Sequence, residues 1–348
     1  MDHVEKIVVL MTGAGAPGAA GIIKCLKKDK NIHLILADAS AEPVGKYLAG
    51  NFYQIPKASD PDFIPAIRSI CLKEQVKVLM PLVTRELFAF SEYKDEFRTI
   101  GVHVLVSDES ALSIANDKGR LYQHLEQSTL LVPKYKLVNT WEEFEEGLLQ
   151  LDYPNQKVCF KPCVSNGSRG FRIIDPAIDE FHLLFHEKPN HTYIHLDTIK
   201  SILKGKPFPT LLLSEYLPGP EYSVDCIAKN GTPVVVVPRI RTRMKEGISV
   251  AGEFVQNKEI IKYCEDIIKS LHLHGNIGIQ VKQAEDGRYK ILEINPRVQG
   301  TISAGLGAGI NLPLLAIYQE LNIPVEEHDA QVIWGTKFIR FWEEVFYN

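Results

Sequence analysis

Over residues 1–108, apolar runs of strand length alternate with segments of helical spacing. KIVVLM at 6–11 leads into TGAGAPGAAG and then IIKCLKK. IHLILADA, a helix near 61–74, VKVLMPLV, the helical EYKDEF and GVHVLVSD follow. Strands that alternate with helices point to a parallel sheet with helices packed on it, so a doubly wound α/β domain is expected here. Beyond 108 the pattern changes. DESALSIANDKGRLYQHLEQ reads as one helical stretch, KVCFKPCVSNGSRGFRIID as a hairpin around a Ser/Gly/Asn loop, and KEIIKYCEDIIKSLHLHG as an amphipathic helix. Asn230-Gly231 and Asp286-Gly287 are hairpin turns, because both central residues of such a turn need positive φ. The second part is therefore α+β with antiparallel sheets.

A chain of 348 residues is too long for one ordinary core and implies two or three domains. With 45% apolar and 24% charged residues it has the profile of a soluble globular protein. A net charge of −4 supplies no basic field, so nucleic acid is not an expected partner. There is no run of 18 apolar residues, so no membrane span is expected, and MDHVEKIVVLMTGAGAPG reads as a first strand rather than a signal peptide. The six cysteines, at 25, 71, 159, 163, 226 and 264, form no CxxC pair and read as reduced core thiols. The expected compartment is the cytoplasm.

The chemistry concentrates after residue 160. In YKILEINPRVQG, Glu293 and Asn295 interrupt an apolar strand two residues apart and so share a face. Gln280 lies on the preceding strand. One carboxylate and two amide oxygens are the hard donors that magnesium prefers, with a solvated strand end as the bland alternative. In FKPCVSNGSRG, Lys161 sits at a fixed point before a proline. Ser165, Gly167, Ser168 and Gly170 belong to a small-residue loop whose N–H groups could cradle phosphate. Glu215, Tyr216 and Leu217 end a strand before a Pro-Gly turn, where backbone groups could meet adenine, and Glu221 beyond it could accept ribose hydroxyls. PRIRTR places Arg239, Arg241 and Arg243 on one face if it is a regular strand. Arg297 follows the Glu/Asn pair.

Taken in order, NDK at 116–118, FKP at 160–162, SNGSRG at 165–170, SEYLPGPEYSVD at 214–225, Gln280 and EINPRVQG at 293–300 resemble the ATP-grasp superfamily, most closely its carbamoyl-phosphate-synthase-like branch. The resemblance implies a doubly wound pre-ATP-grasp domain over 1–108. An ATP-grasp domain of two α+β subdomains would follow over 109–325, with a small lid at about 120–213 and a C-terminal subdomain at about 214–325. The tail at 326–348 is aromatic and strand-like. The resemblance also implies that Lys118 and Lys161 neutralise ATP phosphates, that Glu215 and Leu217 hold adenine largely through backbone atoms, and that Glu221 holds ribose. Gln280, Glu293 and Asn295 would bind Mg2+, with Mn2+ as a substitute. Arg243, Arg297 and Arg239 are the expected catalytic residues, because acyl phosphorylation builds negative charge that guanidinium forks match. The implied activity is ATP-dependent joining of a small-molecule carboxylate to an amine, on amino-acid or peptide-like substrates, through an acyl phosphate and with release of ADP and phosphate. Carbamoyl phosphate synthesis itself is not expected from one ATP-grasp half without a glutaminase motif. Proteins with a pre-ATP-grasp domain are often dimers, so a homodimer is an expected form.

Other readings stand beside this one. GAGAPG at 13–18, with Asp38 twenty residues beyond Gly18, formally satisfies a dinucleotide fingerprint and would suit a nicotinamide-dependent oxidoreductase. A non-catalytic ATP-binding protein is the second alternative, against which the joint presence of Lys161, Glu293, Asn295 and Arg297 argues. The pairs His182/His186 and His191/His195 lack a third zinc ligand. Thr84, Arg85 and Glu86 follow a strand of the first domain, where they could touch a substrate or cap a helix.

Overall fold

The structure is a computed structural model and describes residues 6–165, 167, 169–188, 192–245, 247–325 and 331–347. The chain divides into two compact units, Met1–Asn116 with Glu221–Val281 and Glu293–Asn348, and Asp117–Pro220 with Lys282–Leu292.

In the first unit, β1 (Ile7–Thr12), β2 (Ile32–Asp38), β3 (Asn51–Gln54), β4 (Val78–Pro81) and β5 (His103–Val104) alternate with α1 (Ala19–Leu26), α2 (Phe63–Glu74), α3 (Leu87–Glu92) and α4 (Lys94–Thr99). The strands form a parallel sheet in the order β3-β2-β1-β4-β5. Alternation along the strands feeds two cores. Val9, Met11, Leu34 and Leu36 pack in one cluster, and Leu10, Ile35, Phe63 and Phe90 in another. Each fully buried aliphatic side chain contributes about 1.5–3 kcal/mol. The first cluster continues through Ile227, Val237, Phe254 and Leu312, which unites this sheet with the C-terminal part of the same unit.

The expected single helix over 108–127 is two, α5 (Glu109–Ala115) and α6 (Lys118–Gln127). The break has a local cause. The Asp117 carboxylate accepts hydrogen bonds from the N–H groups of Gly119 and Arg120 and starts a new helix. In the second unit, β6 (Tyr135–Val138), β7 (Val158–Pro162), β8 (Arg172–Ile174) and β9 (Leu211–Glu215) form an antiparallel sheet in the order β6-β9-β7-β8. It is accompanied by α7 (Trp141–Gln150), α8 (Glu180–His186) and α9 (Leu196–Leu203). Trp141, Phe144, Leu148, Phe160, Ile199 and Leu213 are its core. A reciprocal capping box between Thr140 and Glu143 fixes the start of α7.

The remaining strands are β10 (Glu221–Lys229), β11 (Thr232–Lys245), β12 (Ile248–Phe254), β13 (Gly275–Gln283), β14 (Tyr289–Asn295) and β15 (Lys337–Ile339), in one sheet of order β14-β13-β10-β11-β12-β15. Asn230 and Gly231 turn β10 into β11 with φ of 47° and 80°. α10 (Lys258–Leu271) buries Ile260, Cys264, Ile267, Ile268 and Leu271, the stripe expected of an amphipathic helix. α11 (Leu312–Glu320) is largely buried. The tail is a strand only over Lys337–Ile339, and its residues 326–330 lie outside the described ones. After β15, Phe341, Trp342 and Phe346 are exposed. The six cysteines are free and buried. Among the described residues no single helix is long and apolar enough to cross a membrane.

The glycines of 13–18 have packing reasons to be glycine. A Cβ at Gly18 would lie 2.3 Å from the Gly300 Cα, and one at Gly13, whose φ is +74°, would lie 2.5 Å from Val83. The Asp38 carboxylate accepts from the N–H groups of Gly15 at 2.8 Å and Ser40 at 2.7 Å, closing its own loop.

Candidate functional site

The second unit builds a cationic loop. Lys161 is the fourth residue of β7, opposite Leu212 of β9, and its ammonium donates to the Leu292 carbonyl at 2.9 Å. Lys118 begins α6. Its N–H donates to the Cys163 carbonyl at 3.0 Å and its ammonium to the Ser165 carbonyl at 2.9 Å, so the helix start is stitched to the loop after β7. The side chain is buried, at 5% exposure. Ser165 Oγ donates to the Pro162 carbonyl at 3.3 Å. Gly167 and Gly170 have φ of +65° and +77°, and a Cβ at Gly170 would lie 2.6 Å from the Pro162 ring. This loop requires glycine for both conformation and space. Ser168 lies outside the described residues.

Glu215 ends β9. Its carboxylate accepts from the Lys134 N–H at 2.8 Å and pairs with the Lys290 ammonium at 2.6 Å. The ammoniums of Lys282 and Lys157 lie 5.0 and 5.7 Å from the Tyr216 ring centroid. Leu217 is buried. Gly219 then presses on the backbone of Gln283, donating to its carbonyl at 3.0 Å, and no side chain would fit there.

In the first unit, Glu293 and Asn295 end β14 on one face, with Asn295 Nδ2 3.4 Å from Glu293 Oε1. Arg297 extends this set. Its Nη2 lies 3.4 Å from Asn295 Oδ1, its Nη1 donates to the Val298 carbonyl at 3.0 Å, and its Nε donates to Thr84 Oγ1 at 3.0 Å. Burial pulls the Arg297 pKa down and Glu293 opposes the shift. One carboxylate and amide oxygens are a donor set that suits a hard divalent cation. Among the described residues no group of three His, Cys, Asp or Glu forms a rival metal site. The rings of His182 and His186 lie 5.1 Å apart and His195 pairs with Glu180, while His191 lies outside the described residues.

The three arginines of β11 do not share a face. Arg241 pairs with Gly252 and Arg243 with the adjacent Ala251, so Thr242 is an extra residue in a bulge that re-aims the rest of the strand. Arg239 is fully buried. It binds Asp225 through Nε at 2.7 Å and Thr301 Oγ1 through Nη2 at 2.6 Å, with Gln299 Oε1 at 3.4 Å. Arg243 is exposed and lines a pocket of about 410 Å³ with Lys245, Val250, Arg340 and Trp342. Arg241, passed over in favour of its neighbours, is the one that touches other expected site residues. Its Nη1 pairs closely with Glu221 and lies 3.4 Å from Gln280 Oε1, while Nε donates to Ser249 Oγ at 2.9 Å. The sequence signal for it is Glu221, because a half-buried carboxylate needs a cationic neighbour.

Comparison with known proteins bears on the fold that carries these residues. Residues 207–338 match the family model described as ATP-grasp in the biosynthetic pathway with Ter operon, and residues 9–105 match the PylC-like N-terminal domain. Among curated proteins, the carbamoyl phosphate synthase large chain of a Thermoanaerobacter species is 23% identical over 65% of this chain and 20% of its own length. That of Thermomicrobium roseum is 25% identical over 58% and 18%. The chain thus spans about a fifth of the length of these relatives. Among solved structures, an N5-carboxyaminoimidazole ribonucleotide synthetase in complex with ADP superposes with a TM-score of 0.69 at 15% identity, covering 94% of this chain and 79% of that one. Biotin carboxylase of Campylobacter jejuni gives 0.68 at 14% identity, with 94% and 74% covered. An L-amino acid ligase of Bacillus licheniformis gives 0.65 at 15% identity, with 94% and 78% covered. These likenesses fix the fold.

Proposed function

From a chain in which an ATP-grasp domain follows a PylC-like N-terminal domain, we propose an ATP- and Mg2+-dependent ligase that phosphorylates a small-molecule carboxylate and joins it to an amine. The observation that carries the reading is the strand end Glu293, Asn295 and Arg297, in which metal-type oxygen donors adjoin a half-buried guanidinium. Lys118, Lys161 and the loop from Ser165 to Gly170 suit the phosphates of ATP. The Glu215 carboxylate is committed within the fold, which leaves the backbone of 215–217 as the part suited to adenine. Gln280, Glu293 and Asn295 would hold Mg2+, or Mn2+ in its place. When bound, the ion would neutralise phosphate charge and withdraw electrons from the γ-phosphorus.

A carboxylate oxygen attacks the γ-phosphorus. The new O–P bond forms, the bond to the bridging oxygen of ADP breaks, and ADP departs with the electron pair. Arg297 faces the charge that gathers on the transferred group, because a desolvated guanidinium is worth more there than in water. The amine then attacks the carbonyl carbon of the acyl phosphate and phosphate leaves. Arg241 keeps Glu221 and Gln280 in place, a positioning role. Arg239 serves through the core contacts it makes, and Arg243 belongs to the pocket on the β11–β12 hairpin, where it suits an anionic part of the acid. Every described cysteine is buried with its thiol pKa raised, so no acyl-thioester carrier is part of the scheme. We place the enzyme in the cytoplasm, acting as a monomer or homodimer on small molecules.

The test is to supply enzyme, Mg2+ and ATP with candidate acids and hydroxylamine as the nucleophile. ADP and a hydroxamate are expected. AMP and pyrophosphate would exclude the acyl phosphate. ATP binding without NAD binding in calorimetry separates this reading from an oxidoreductase.

A further inference from the structure

The parallel sheet of the first unit changes winding direction between β1 and β4, and in open α/β sheets the crevice beyond the carboxyl ends at such a point takes a ligand. Thr12, Asp38 and the Thr84–Glu86 turn stand at those ends. Glu86 is 7% exposed, and Thr12, fully buried, donates from Oγ1 to Glu86 Oε2 at 2.6 Å. Among the described residues the other carboxylate oxygen, Oε1, has no hydrogen-bond partner. Asp38 cannot relieve this, since it is itself an acid whose oxygens serve Gly15 and Ser40. That oxygen is not one of the fully buried unpartnered atoms, so it keeps an opening to the crevice, and a largely buried carboxyl group with one open oxygen is a ready acceptor for a cation there. Two residues earlier in the same turn, Thr84 accepts the Nε hydrogen bond of Arg297. The turn that carries Glu86 is therefore bonded to the arginine assigned above to the activated acyl group.

We propose that this strand-end crevice is the subsite of the amine substrate, and that Glu86 receives its ammonium group and takes up its proton. The proposal rests on the ligase reading. It answers a chemical requirement of that reading: amines reach an enzyme at neutral pH as R–NH3+, which has no lone pair to attack a carbonyl. An ammonium N–H donates to Glu86 Oε1, and the proton passes to that oxygen. R–NH2 and a neutral carboxylic acid result. The nitrogen lone pair forms the C–N bond, the C–O bond to phosphate breaks, and phosphate leaves with that electron pair. The second nitrogen proton goes to the departing phosphate, and Glu86 returns its own to solvent. Burial raises the Glu86 pKa, Asp38 adds to the rise and the Thr12 bond opposes it, leaving it at about 7. A base near the working pH is the effective one for such a transfer. The charged group that acts on it is Asp38, while Arg297 is tied to the same turn through Thr84.

The experiment uses an equimolar mixture of the twenty L-amino acids as both acids and amines, with ATP and Mg2+, read as amide product and ADP. A parallel arm adds hydroxylamine, which is largely uncharged at neutral pH and needs neither a cation site nor a base. Glu86→Gln should lose amide formation by about 100-fold or more while hydroxamate formation stays within about threefold of wild type. Thr12→Val, which removes a bond favouring the carboxylate, should move the acid limb of the amide-forming pH profile upward. Normal amide formation by Glu86→Gln overturns the proposal, as does equal loss of both products in a variant that melts like wild type, or an unmoved limb in Thr12→Val. If wild type releases no ADP in either arm, the ligase reading itself falls, and the amine subsite with it.

Discussion

Glu293 is the one carboxylate among Gln280, Glu293 and Asn295, so its charge is the part of that set a neighbouring amide cannot replace. Glu293→Gln should lower acid-dependent ADP release about 100-fold or more, with an increased Mg2+ requirement, read in a coupled ADP assay. Lys161→Ala should weaken ATP binding about tenfold or more in calorimetry, because a fixed cation beside phosphates is lost. Arg239 carries a prediction of another kind. Its partner Asp225 is 1% exposed, and Asp225→Asn would strand a buried guanidinium. Such losses cost about 3–5 kcal/mol, visible as a lower denaturation midpoint. The sequence made Glu293 and Asn295 legible because polar residues two apart in an apolar strand are conspicuous. It could not rank the three arginines of β11, since strict alternation treats them alike and the Thr242 bulge leaves no mark in composition.

Among elements, the start of α6 shows how a local signal can be overlooked. An unbroken helical pattern runs across 108–127, yet an aspartate inside it is also a cap, and at Asp117 the cap prevails. Asp117→Ala should cost about 1 kcal/mol of stability. It should also loosen Lys118, whose place depends on that helix start, so ATP binding should weaken in the same variant beyond what the melting shift explains. Both hairpins were legible, but only Asn230-Gly231 has positive φ at both central residues; at Asp286-Gly287 only the glycine does, at 82°, within a longer loop closed by the Ala284 N–H to Arg288 carbonyl bond. The glycine-rich 13–18 segment was legible as a turn but not in its purpose. Contact between Gly18 and Gly300 joins residues far apart in sequence, which no local pattern encodes.

At the scale of the molecule, Glu320 of α11 pins distant parts of the first unit. It pairs with His274 at 3.0 Å and with His103 of β5 at 3.1 Å. Burial alone would raise its pKa, but the bonds and charges of the two histidines outweigh that and take it down to about 2, from an ordinary 4.5. A carboxylate lowered on folding stabilises above its unfolded pKa, and that stability is lost as pH falls through the folded value. Urea midpoints should therefore separate wild type from Glu320→Gln at pH 5 and above, by on the order of 3 kcal/mol. The gap should close between about pH 4.5 and 2. The free cysteines have a practical consequence for following such openings. Burial raises the pKa of every one, to about 12 for Cys25 and Cys71 and about 11 for Cys163. Alkylating reagents consume thiolate, so the native chain should stay almost unlabelled by iodoacetamide at pH 8 and take up all six equivalents in denaturant. The order in which the six become modified at sub-denaturing urea, read by peptide mass, would chart which parts of the protein breathe first without adding any probe to it.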